Sequence, residues 1–250
     1  GVPDGHILEQ GRAQLAQVRP LPGIVRWAYH YLLGTPAGIR FSGWALWLYQ
    51  KLHLNGLAHR FNLVEKVGGK GLADMERVIP PVASPARRAA RQQVNPAVGQ
   101  RRYKVGFFTG CLSDIVFFDT NQNAVEVLTR LGCEVVIPQG QGCCGAVHAH
   151  AGEHEMAVAQ AKRNIAAFEQ GGFDFIVSTA GGCGAALREY DKLLADDPEW
   201  ADRARRFSAR CRDFSELVEQ LGPIPMGEMP GVYTYQDSCH LRNVQKVAAP

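Results

Sequence analysis

The sequence has 250 residues, of which 46% are hydrophobic and 20% charged, the composition of an ordinary globular protein with room for one large domain or two smaller ones. A formal net charge of +3 gives no electrostatic case for a nucleic-acid partner. The most apolar stretch, FSGWALWLYQKLHL at 41–54, is too short to span a bilayer and is interrupted by Lys51 and His53.

Residues 1–79 contain no cysteine and read as a helical region with aromatic faces. IVRWAYHYLLG, residues 24–34, closes on Gly34, suited to a helix C-cap, and a second aromatic helix follows from about Gly43. Their Trp and Tyr side chains are expected to pack against the rest of the protein, the alternative being a docking face for a partner subunit or a membrane surface. Residues 80–102 carry Arg87, Arg88, Arg91, Arg101 and Arg102 with no acidic residue, and read as a solvated basic linker.

From Tyr103 the pattern becomes α/β. KVGFF begins a strand, and a helical pattern follows over 113–131, with Phe117, Val125, Leu128 and Leu131 near helical spacing. CEVVIP, residues 133–138, is the second strand, and a helix over 152–170 presents Val158, Ala161, Ile165 and Phe168 on one face. FDFIVST, residues 173–179, is the third strand, with a helix after Gly184. GVYTYQDSC, residues 231–239, reads as a fourth. Strands alternating with helices imply crossover connections and a mainly parallel sheet. HAHAGEH, with His148, His150 and His154, is expected to begin an exposed helix, not a metal site.

Seven cysteines, an odd number with no visible leader, disfavour a disulfide framework and raise metal or redox chemistry in a cytoplasmic setting. On the strand map Cys111 follows the first strand, Cys143 and Cys144 the second, Cys183 the third and Cys239 the fourth. The C-terminal strand ends of a parallel sheet share one edge, so these loops deliver thiols to the same side. Cys133, inside a strand, reads as a small core residue, and Cys211, in an Arg-rich stretch, as incidental. Glycines crowd the candidate ligands in TGC, QGCCG and AGGCG, where backbone must come close to a bulky group. Adjacent cysteines suit one tetrahedral zinc poorly, whereas a multi-iron cluster offers each thiolate a metal. A disulfide or thiol-exchange site remains the alternative.

These residues resemble the cysteine-rich CCG-domain proteins, found in heterodisulfide reductases and in the iron–sulfur subunits of glycolate oxidase and lactate-utilisation systems. Thirty-one residues, 112–142, separate Cys111 from Cys143-Cys144-Gly145, and thirty-five, 145–179, lead to Ala180-Gly181-Gly182-Cys183. Ala180 stands where the family pattern has the first cysteine of its final pair. That departure and the Glu189-Tyr190 pair look more like the glycolate oxidase branch than the heterodisulfide reductase branch. The segment around Cys239-His240 resembles the opening of a second CCG repeat. GVPDGHILEQGR resembles the segment following a ferredoxin-type module, so both ends look like cuts through a longer protein.

The resemblance implies a helical region at 1–79 after a missing ferredoxin-type module, a linker at 80–102, a first CCG domain at 103–230 and the start of a truncated second repeat at 231–250. It implies an iron–sulfur cluster, of [4Fe–4S] type, with Cys111, Cys143, Cys144, Cys183 and Cys239 as metal ligands and Gly145 and Gly182 shaping the loops. No catalytic residue is assigned. The function implied is electron transfer within a 2-hydroxy-acid (glycolate or lactate) dehydrogenase. Its partners would be an FAD-bearing subunit and a quinone or other acceptor, on the inner face of the cytoplasmic membrane if membrane-associated. The rivals are a heterodisulfide-reductase-like subunit with a catalytic cluster and an assembly domain with free thiols.

Overall fold

The computed structural model describes residues 4–222, 227–228, 230–234, 236 and 238–247. The chain opens with helices α1 (Asp4–Val18) and α2 (Gly23–Ala28), the latter running into a π-helical turn, Tyr29–Leu33. Then come α3 (Pro36–Lys51), α4 (Leu54–Arg60) and α5 (Leu63–Arg77). Thr35 starts α3 by accepting the Gly38 N–H at 3.0 Å, with Pro36 in the first turn. Gly34 follows the π-turn as its C-cap, but at φ −81° it does not use the left-handed conformation expected of a C-capping glycine. A Cβ there would instead collide with the His30 carbonyl. The expectation that the Trp and Tyr residues pack inward fails for Trp27, Tyr31 and Trp44, which are all exposed.

The segment expected as a solvated linker is ordered against the α/β unit. It holds α6 (Pro85–Ala89) and β1 (Val94–Asn95). Its arginines find acids on neighbouring elements: Arg87 pairs with Asp119 and Arg91 with Asp114, while Arg101 pairs with Glu134. Acids outside the segment supply the counter-charge that the segment itself lacks.

The α/β unit runs β2 (Tyr103–Phe107), α7 (Cys111–Val116), α8 (Phe118–Arg130), β3 (Cys133–Val136), α9 (Ala146–His150), α10 (His154–Glu169), β4 (Phe175–Ser178), α11 (Gly181–Arg188), α12 (Tyr190–Leu193), α13 (Ala201–Arg210), β5 (Cys211–Asp213) and α14 (Phe214–Leu221). The sheet order is β1-β3-β2-β4-β5, with β1 antiparallel and the other pairings parallel. One face buries Val105, Phe107, Val135 and Val177 with Leu128 of α8 and Leu217 of α14. The other buries Ile176 with Ile165 and Phe168 of α10, Leu187 of α11 and Phe207 of α13. Period-two alternation in the strands therefore feeds two helical layers.

Two strand assignments change. The described residues of 231–238 form no strand, so Cys239 does not follow one. The strand beyond β4 is β5, built from Cys-Arg-Asp, too short and polar for its pattern to stand out. Cys211 is accordingly a buried core residue and not incidental; Cys133 is buried in β3 as expected. The C-terminal segment instead makes a π-helical turn, His240–Val244, that packs on α11. There Gln245 donates to the Gly181 carbonyl at 2.9 Å and Arg188 to the Gln245 carbonyl at 3.0 Å.

Candidate metal centre

Three adjacent strands, β3, β2 and β4, end at one sheet edge, and each is followed by a cysteine loop that enters a helix. The chain reverses direction across the sheet at β2, the position where open α/β folds place ligands. Cys111 is the first residue of α7, entered through Gly110 at φ +71°. Cys143 and Cys144 precede α9, entered through Gly145 at φ +89°. Cys183 lies in the first turn of α11. At Gly110 and Gly145 a positive φ that side-chain-bearing residues resist makes the turn from strand to helix.

The four thiols neighbour one another in a string, Cys111 beside Cys143, Cys143 beside Cys144 and Cys144 beside Cys183, each close enough to shift the titration of the one before it. A Cβ placed on Gly110 would be 3.6 Å from Cys183 Sγ, so the first and third loops also meet. Among the described residues no group of three or more His, Cys, Asp or Glu could hold a single metal ion, so the string is not a cage around one point. Cys111, Cys143 and Cys144 are buried and Cys183 is half-buried.

Electrostatics keep the Cys111, Cys143 and Cys144 thiols protonated when no metal is present. Hydrogen bonding to Cys143, then burial, push the Cys111 thiol far up. Cys143 is held down by the bond it accepts from Cys111, but its bond to Cys144 and its burial win, and it is pushed up to about 12. Cys144, held down by Cys143, is raised well above the usual thiol range by its bond to Cys183 and by burial. Backbone N–H groups oppose these shifts: Gly145 donates to Cys143 Sγ at 3.4 Å, and the Leu112 and Ala146 N–H groups favour the thiolates of Cys111 and Cys144. Four soft sulfur donors, three of them with backbone N–H groups beside them, match the ligand chemistry of an iron–sulfur cluster.

Buried and half-buried amide side chains, not singled out in the sequence, tie the loops together. Asn121 donates to the Thr109 carbonyl at 3.0 Å and accepts the Thr179 hydroxyl at 2.8 Å, joining the Cys111 and Cys183 loops. Gln141 accepts the Thr109 N–H at 2.9 Å and donates to the Phe107 and Pro138 carbonyls. Asn164 and Tyr190 hold the Cys143–Cys144 loop. The available signal was polarity on an apolar stripe: Gln160 and Asn164 share the buried face of α10 with Ala161, Ile165 and Phe168.

Cys239 is exposed, although the preceding Ser238 hydroxyl lies where a Cβ on Gly181 would meet it. At Gly182 a Cβ would meet nothing within 4 Å, so packing does not require glycine there. His148, expected on an exposed helix, is fully buried, with Nε2 3.0 Å from the Tyr29 carbonyl. It fastens the π-turn of the helical region to α9. Beside it Gln160 and Arg163 both donate to the Gly34 carbonyl, at 2.7 and 2.9 Å.

Residues 105–188 match the cysteine-rich domain family CCG. This part of the chain is similar to CCG domains. Residues 22–79, the helical region, match the linker region of the glycolate oxidase iron–sulfur subunit family. The probable glycolate oxidase iron–sulfur subunit of Bacillus subtilis (strain 168) is 39% identical over 98% of this chain and 56% of its own length. Lactate utilization protein A of Exiguobacterium sp. is 37% identical over 58% of this chain and 60% of its own, and that of Geobacillus thermodenitrificans 36% over 55% and 58%. The chain thus spans little more than half the length of these curated relatives. No solved structure matches. No helix among the described residues is long and apolar enough to cross a membrane.

Proposed function

We propose that this chain is part of an iron–sulfur electron-transfer subunit of a flavin-linked 2-hydroxy-acid dehydrogenase acting on glycolate or lactate. The observation that carries this reading is the string of four thiols at the ends of three adjacent parallel strands. The similarity to subunits named for glycolate oxidase supports it.

Cys111, Cys143, Cys144 and Cys183 would hold a [4Fe–4S]-type cluster, with Gly145 setting the turn and Gly182 leaving space beside Cys183. Cys239 would open the ligand set of a second repeat. When bound, such a cluster accepts and passes on single electrons, here from an FAD-bearing partner toward a quinone or other acceptor. The chain's own task is to present sulfur and exclude water. Its raised thiol pKa values mean that loading releases protons, and backbone N–H groups at the helix starts then face the negative charge left on sulfur. Ala180, in place of a cysteine, weighs against the disulfide-cleaving role of the heterodisulfide reductase branch. The exposed aromatic residues of the helical region are read as the face toward a partner subunit or a membrane surface.

The test is iron and acid-labile sulfide analysis, with absorbance and EPR spectra, of full-length protein purified without oxygen. Serine replacement of each of the four cysteines should lower the iron content assigned to this domain. Unchanged iron in all four variants would refute the assignment.

A further inference from the structure

We propose that Asn164 and Tyr190 are positioning residues that set the backbone of the Cys143–Cys144 loop, and with it the two adjacent sulfurs, for cluster binding. This rests on the iron–sulfur reading above. The Asn164 side chain accepts the Gly142 N–H at 2.9 Å and donates to the Cys143 carbonyl at 2.8 Å and to the Tyr190 hydroxyl at 2.9 Å. The Tyr190 hydroxyl in turn donates to the Cys144 carbonyl at 2.8 Å. Three consecutive residues are therefore each gripped at one backbone atom.

Nothing in simple packing calls for this. Asn164 and Tyr190 are both buried, and apolar side chains of similar size would fill the space without the cost of desolvating an amide and a phenol. Their hydrogen bonds go to each other and to the thiol-bearing loop. Asn164 stands on α10 and Tyr190 on α12, so the loop is held from two independently packed elements. Two neighbouring residues whose side chains must both point to one cluster need their carbonyl directions fixed, because each carbonyl direction sets the backbone rotation beside its Cα. The Tyr190 ring is separately anchored by stacking on Phe207 at a 5.5 Å centroid distance, so removing the hydroxyl leaves the ring in place.

The experiment compares full-length parent protein with Tyr190→Phe, Asn164→Asp and a control, Ile165→Val, which trims the core face of the same helix. Asn164→Asp keeps an acceptor for Gly142 but loses both donors. Anaerobic iron release to a chelator should be roughly ten-fold faster in both clamp variants, the scale on which residues behind metal ligands act, and the EPR line shape should change. The control should match the parent. In iron-free protein, amide exchange over residues 140–146 should accelerate in the clamp variants only, which tests the clamp independently of any cluster. Release, EPR signal and exchange all equal to the parent would overturn the proposal, as would a control that matches the clamp variants. A parent that binds no iron would sink the iron–sulfur reading and the cluster-positioning role with it; altered exchange would then leave only a structural clamp.

Discussion

Serine at position 144 and serine at position 133 should have opposite rankings for stability and for function. Both cysteines are buried. Cys133 sits in β3 within the apolar cluster of Val105, Leu128 and Leu131. A serine hydroxyl there desolvates without an evident partner, at a cost of about 1–3 kcal/mol. At 144 the hydroxyl has the Ala146 N–H beside it, so the cost should fall at the low end of that range, about 1 kcal/mol. Each kcal/mol corresponds to a melting shift of roughly 2–4 °C at this chain length. Iron-free Cys133→Ser should therefore melt lower than iron-free Cys144→Ser. Function should run the other way. In full-length protein Cys144→Ser should lose cluster iron and acceptor-linked turnover, because a serine hydroxyl is a much poorer ligand for iron than a thiolate. Dye-linked hydroxy-acid oxidation by the flavin partner should survive. Cys133→Ser should keep its iron and its acceptor-linked turnover per folded complex. Both activities, normalised to flavin and to soluble complex, would be measured beside thermal melts. If Cys144→Ser keeps acceptor-linked turnover, or the two variants lose iron equally, the distinction between ligand and core thiols is wrong.

Gly145→Ala should destabilise the domain by about 1–2 kcal/mol, since φ +89° is costly for an L-residue and the new Cβ would lie 3.2 Å from the Ala157 carbonyl; urea melts of parent and variant measure it. His148 is held below its ordinary value first by burial, against a raising contribution from the Tyr29 carbonyl. Its folded form thus prefers the neutral imidazole. The stability this gives is present above the ordinary histidine value of 6.5 and is lost as pH falls below it. A melting series from pH 7.5 to 5 should show the parent losing more stability on acidification than His148→Gln, and equal slopes would refute the assignment. At alkaline pH the sign reverses. Burial pushes Cys133 up from 9.0 to about 11, so the stability of its neutral thiol is complete below pH 9 and lost between 9 and 11. Iron-free parent should therefore lose more stability across that window than iron-free Cys133→Ala, and parallel curves would contradict it.

Much of the α/β unit was readable because its signals are local. The strands β2, β3 and β4 are short apolar runs next to glycine or proline, and α10 announces itself by Val158, Ala161, Ile165 and Phe168 at helical spacing. The cysteines could be placed in advance because a parallel sheet sends every strand's C-terminal end to one edge, so position after a strand implies position in space. The same logic failed where its premise was wrong. Residues 231–239 have the alternating look of a strand, yet β5 comes earlier, from three residues with little pattern, and the described residues of 231–238 form no strand ahead of Cys239. His148 and the linker arginines were misread because their partners are distant in sequence: Tyr29 lies 119 residues from His148, and Asp114 lies 23 from Arg91.

What the sequence determined alone was the chemistry: which side chains are soft donors, and which strand Cys111, Cys143, Cys144 and Cys183 each follow. What only the tertiary structure decided was their company. Asn164 is an ordinary polar residue in mid-helix until α10 packs across the Cys143–Cys144 loop, and Tyr190 looks like core until its hydroxyl meets the Cys144 carbonyl. Periodicity along a chain reports which face of an element is buried. It carries no record of which buried polar atom another element will bring within hydrogen-bonding distance, because that depends on how separate elements pack.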